Sequence, residues 1–98
     1  MFIVLLKYLK PLDQVETFIN EHREFLGKYY KESKFLASGP QVPREGGVII
    51  VNADSREEVQ MIIEEDPFKR EEIAHYNIIE FTPTMHDERI SHILQQAR

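Results

Sequence analysis

Two stretches of the chain carry apolar residues at successive as well as alternate positions. Phe2, Val4, Leu6 and Tyr8 alternate with Ile3 and Leu5, and Val48 to Ala53 follows a Gly46-Gly47 opening. Such runs suit strands covered on both faces, which predicts that these two form the interior pair of a sheet. Between them, Val15, Phe18, Ile19, His22, Phe25, Leu26 and Tyr29 recur at helical spacing. That spacing predicts one helix, started by Pro11 and Asp13 with Glu16 three residues on. After the second strand, Asp54 or Ser55 is placed to cap another helix, with Glu57 or Glu58 completing a capping box. Val59, Ile62 and Ile63 give that helix its apolar stripe. Pro67 then biases Asp66 out of helical geometry.

Shorter signals fill the gaps. Phe35-Leu36-Ala37-Ser38 reads as a strand closed by Gly39-Pro40, and Gln41 to Gly46 as a hairpin-length loop. Lys69 to Ala74 is a short connection or extra turn before a last strand, Tyr76 to Phe81. Glu80 marks that strand as an edge with one partly solvated face. Ile90, Ile93, Leu94 and Ala97 predict an amphipathic helix from Asp87 to Ala97, outside the core unit.

The order strand, helix, strand, strand, helix, strand predicts an α+β fold of the ferredoxin-like, split βαβ plan (βαββαβ). Its antiparallel sheet carries two helices on one face, with the C-terminal helix added. The first and third strands are central in that plan, and they are the two that are apolar on both sides. Two helices cover only one face of the sheet. The other needs a partner, most simply the same face of a second subunit, so a homodimer is expected.

At 98 residues the chain makes one domain, with a core over residues 1–83 and an extension over 84–98. Hydrophobic content of 42% with 30% charged residues is ordinary for a globular protein. A net charge of −5 argues against a nucleic-acid partner. The absence of cysteine excludes disulfides, thiol catalysis and zinc–thiolate sites. The N-terminus lacks a basic leader and no apolar run approaches bilayer length, so a cytoplasmic protein without membrane contact is expected.

Two positions depart from what stability alone asks. His22 sits on the inward stripe of the first helix, and Asp66 leaves the second helix at the negative end of its dipole. In a split βαβ unit the two helices lie side by side, so inward residues can converge at one end. A carboxylate beside an imidazole fixes the tautomer and prepares the ring as a general base or acid. The plainer alternative is a core histidine satisfied by a carbonyl or a single acid. Ser38-Gly39-Pro40 ends a strand where glycine permits close ligand approach, or is a simple turn. Phe68 is placed to wall a pocket or to anchor its own turn. His75, His86 and His92 match no compact metal-ligand spacing, and no phosphate-binding glycine loop or nucleophile elbow is present. No metal site or cofactor is expected.

At these residues the chain resembles the YciI-like (YCII-related) domain family. The resemblance rests on His22, Phe35-Leu36-Ala37-Ser38-Gly39-Pro40, Gly46-Gly47-Val48-Ile49-Ile50-Val51, Ala53-Asp54-Ser55-Arg56-Glu57-Glu58 and Asp66-Pro67-Phe68, and reaches about Pro83. It implies a dimeric α+β barrel built on a ferredoxin-like unit. It also implies an active site made by His22 and Asp66, with a cleft bordered by Ser38-Gly39-Pro40 that takes a small molecule. One branch of the family resembles lyases that remove chloride from chlorinated hydroxyquinols. The expected function is therefore a small enzyme using general acid/base chemistry of lyase, isomerase or hydrolase type on a small organic, cyclic or aromatic substrate. The alternative is a non-enzymatic ligand-binding or regulatory module using the same cleft.

Overall fold

The computed structural model describes residues 1–96. Strands β1 (Phe2–Tyr8), β2 (Phe35–Pro40), β3 (Gly46–Val51) and β4 (Ala74–Glu80) form one sheet in the order β2-β3-β1-β4, antiparallel throughout. Helices α1 (Leu12–Thr17), α2 (Ile19–Lys31), α3 (Arg56–Ile63) and α4 (Pro67–Arg70) connect the strands. A single 3-10 turn (Glu88–Ile90) leads into α5 (Ser91–Gln96). The fold is the ferredoxin-like α+β plan, with the two doubly apolar strands at its centre and β4 at the edge.

The alternation of β1 explains the layering. Phe2, Val4 and Leu6 are buried against the helices, joined from neighbouring strands by Phe35, Ile49 and Val51. Val15, Phe25, Tyr29, Val59, Ile62, Ile63 and Phe68 supply the other half of this core. Phe25, Tyr29 and Phe35 form an aromatic cluster with ring centroids 5.4–5.7 Å apart, which seats α2 on β2. Each such buried side chain contributes about 1.5–3 kcal/mol, enough to fix how the helix lies. On the opposite face, Ile3 pairs with Ile50 on one side and Ile79 on the other, an apolar row across three strands.

Several elements differ in detail from the sequence expectation. The first helix is two helices, because Phe18 takes φ −107° and ψ 8° and interrupts the run. The Thr17 hydroxyl donates to the Asp13 carbonyl at 3.1 Å, a back-bond that bends helices. β3 begins at Gly46 rather than Val48. A Cβ at Gly46 would lie 1.8 Å from the Leu6 carbonyl oxygen, so glycine lets β3 pair closely with β1 there. Asn52 and Ala53 fall beyond its end, and the Asn52 N–H donates to the Lys34 carbonyl instead. β4 starts two residues early, at Ala74.

The α3 cap is Ser55, whose Oγ accepts from the Glu58 N–H at 3.1 Å, while Glu58 Oε1 accepts from the Asp54 N–H at 2.8 Å. The C-terminal helix lies partly outside the described residues, as Ala97 does. Asn52 Nδ2 donates to the Ile93 carbonyl at 3.1 Å, tying α5 beside the C-terminal end of β3. Among the described residues no helix is long and apolar enough to cross a membrane.

Candidate active site

Asp66 does not stand at the frayed end of α3. It is the N-cap of α4, its Oδ1 accepting from the Phe68 N–H at 3.0 Å, with Pro67 in the first turn. The carboxylate therefore satisfies a helix start, as an Asp-Pro pair is suited to do. The side chain is fully buried. A charge withdrawn from water in this way is tolerable only when hydrogen bonds replace the lost hydration. Three are present: Phe68 N–H, the Tyr76 hydroxyl on Oδ2 at 2.5 Å, and His22 Nδ1 on Oδ1 at 2.8 Å. A carboxylate only accepts, so this contact needs a proton on Nδ1 of His22, and in the neutral ring that leaves the lone pair on Nε2.

His22 reaches this position from α2. Alongside residues 65–70, Glu21 of the helix pairs with Arg70 at 2.9 Å and Lys28 with Glu65 at 2.7 Å. The Tyr29 hydroxyl also donates to Glu65. The burial of Phe25 and Tyr29 in the core sets the face of α2 that brings His22 to Asp66, and the exposed ion pairs lie beside it. Phe68 lies flat against the imidazole, with centroids 4.0 Å apart and 2° between the planes. The ring is thus held in its plane by a carboxylate and across its face by an aromatic. Only 12% of the His22 side chain is exposed. The exposed part opens on a cavity, and among the described residues Nε2 has no hydrogen-bond partner.

That cavity has a volume of about 400 Å³. Its walls are mostly apolar, from Leu6, Tyr8, Ile19, Leu26, Ile49 and Phe68. Ser38, Gly39 and Pro40 line its sheet side. The Ser38 hydroxyl is paired with the Tyr30 hydroxyl at 2.7 Å, and a Cβ on Gly39 would meet nothing within 4 Å. Phe68 is 1% exposed and supports His22 more than it presents a wall. The structure thus places His22, Ser38, Gly39, Pro40 and Phe68 around one hollow, and Asp66, fully buried, against the His22 ring but outside the lining. Tyr76, which holds Asp66, and Glu16, Arg23 and Arg44, which line the cavity, are not marked as site residues by the sequence pattern. Burial first, and the Asp66 charge second, push the Tyr76 hydroxyl far above the usual tyrosine range. Tyr76 was findable: it alternates with Ile78 on the helix side of β4, opposite Leu6.

The family model of the YCII-related domain matches residues 1–82. The chain belongs to the YCII-related domain family. The span of this YCII-related domain includes the whole cleft and leaves α5 outside. Among solved structures it is similar to 5-chloro-2-hydroxyhydroquinone dehydrochlorinase (TftG) from Burkholderia phenoliruptrix AC1100, in complex with 2,5-dihydroxybenzoquinone. The two are 19% identical with a TM-score of 0.70, covering 91% of this chain and 98% of that one. The likeness establishes a shared fold. No curated protein sequence matches the chain.

Proposed function

We propose that this YCII-related protein is a small homodimeric enzyme that uses His22 as a proton carrier, oriented by Asp66, on a small cyclic or aromatic substrate. The observation that carries the reading is the asymmetry of one imidazole. Nδ1 is hydrogen-bonded to a buried carboxylate, while Nε2 has no hydrogen-bond partner among the described residues and the ring lines an apolar-walled cavity of about 400 Å³. A base so placed takes a proton from a substrate O–H or C–H through Nε2, and Asp66 stabilises the imidazolium that results. In an elimination, the electron pair left on the substrate forms a new π bond, and the leaving group departs with its own pair. The imidazolium then returns its proton to the leaving group or to water. Isomerisation and hydrolysis use the same proton shuttle. The similar fold that bears the name dehydrochlorinase favours the lyase class among these. The reaction so written requires no cofactor or metal.

A panel of hydroxylated, halogen-bearing ring compounds tests the proposal, with His22→Gln as control. Turnover is expected in the wild type and should fall by about 10²-fold or more in the variant. Turnover that survives the substitution rules out the proposed base. Binding without turnover in the wild type would make the cleft that of a ligand-binding module.

The dimer is supported by the Ile50–Ile3–Ile79 row and by Ile79 and Phe81, still 41% and 40% exposed in the single chain. Light scattering across a dilution series should return twice the chain mass. A monomer that persists at high concentration contradicts it.

A further inference from the structure

We propose that the cleft selects an organic anion, and that Arg44 reads its charge. This rests on the cleft being a small-molecule site and names the class of molecule it admits. The charged side chains at the cavity, apart from His22, are Glu16, Arg23 and Arg44. Arg44 belongs to the loop between β2 and β3, and that loop is anchored on both sides. The Gln41 N–H donates to the Gly46 carbonyl at 2.9 Å, and the Tyr8 N–H donates to the Glu45 carbonyl at 3.0 Å. The guanidinium lies over the Tyr8 ring, 5.9 Å from its centroid, inside cation–π range. It is therefore held on Tyr8 at the wall of the hollow that His22 also lines.

The present partner of Arg44 is the Glu16 carboxylate, 2.6 Å from NH1. Glu16 comes from α1, so the pair bridges the helix side and the loop side of the entrance. Both side chains are substantially exposed, 37% for Arg44 and 51% for Glu16. An exposed ion pair contributes little to stability, so exchanging one carboxylate for another on Arg44 is cheap. The guanidinium fork matches a carboxylate or an acidic ring oxygen in a way that a neutral amide does not. Glu16 thus occupies the place that the acidic group of a flat, otherwise apolar ligand takes, with the ring of that ligand lying between Tyr8 and the His22 edge.

Benzoate and benzamide share a shape and differ in charge, which makes them the test pair. Millimolar titrations of the full chain, followed by amide NMR shifts of cleft residues, give the ratio of their affinities. Benzoate is expected to bind about tenfold tighter than benzamide. In Arg44→Gln the ratio should fall to about one, whereas Lys31→Gln, at an exposed position outside the cavity, should keep it. Glu16→Gln, which removes the internal competitor, should tighten benzoate. Equal binding of the two probes, or no shift of cleft resonances by benzoate, overturns the proposal. So does a preference that survives Arg44→Gln, or an unchanged or weakened benzoate affinity in Glu16→Gln. The assay reads binding alone, so a failure of His22 as base would leave its result standing, and its failure would leave the proton shuttle untouched.

Discussion

The Tyr76 hydroxyl donates to Oδ2 of Asp66 at 2.5 Å, from the edge strand on the far side of the carboxylate from His22. Asp66 is consequently gripped from β4, from α2 and from the backbone of its own turn. An acid with no solvent exposure keeps its charge in the interior only under such a grip, and through it sets the orientation of the imidazole.

Tyr76→Phe should lower stability at neutral pH by about 1–3 kcal/mol, since a buried acceptor loses its donor. The variant also changes the alkaline limb. The folded protein holds the Tyr76 proton far above its ordinary value near 10.0. Above that pH the unfolded chain binds fewer protons than the folded one, so stability declines as pH rises. The decline is about 1.4 kcal/mol per pH unit for one tyrosine. Urea unfolding from pH 7 to 11 should show a shallower alkaline decline in Tyr76→Phe. Tyr29, raised by burial and then by Glu65, retains a decline of its own.

Phe68→Ala should destabilise the fold by about 3–5 kcal/mol, the usual range for deleting a buried aromatic. It also removes the parallel partner of His22. Side-chain NMR relaxation of the imidazole should report faster ring motion in the variant than in the wild type.

Gly46 and Gly39 make a contrast within one hairpin. Gly46→Ala places a methyl 1.8 Å from the Leu6 carbonyl oxygen, so the central β1–β3 pair must part and little folded protein should be recovered. Gly39→Ala meets nothing within 4 Å and should melt within a few degrees of the wild type. Thermal unfolding followed by circular dichroism distinguishes the two.

These contrasts separate what a linear pattern carries from what it hides. The central strands were legible because Ile3 and Leu5 fill the face that alternation would leave polar. The inward aim of His22 was legible because helical spacing alone determines it. The break at Phe18 was not, since no proline or glycine marks it. The sequence pattern places Asp66 at the exit from α3 and beside His22, but not as the N-cap of α4. Asp66-Pro67 is also a helix-start signal, and that reading explains the acid without opposing a helix dipole. Arg44 and Glu16 lie 28 positions apart on a loop and a helix, and only the closed sheet brings them together.

Asp66 is positioned to hold the proton of the neutral His22 ring on Nδ1, and Nε2 has no hydrogen-bond partner among the described residues. Ring ¹⁵N chemical shifts of His22, recorded in the wild type and in Asp66→Asn, read this directly. Where the ring is neutral, Nδ1 should be protonated and Nε2 unprotonated in the wild type, with the Nε2–H form gaining population in the variant. A wild-type ring protonated on Nε2, or identical ring shifts in the two proteins, would contradict it.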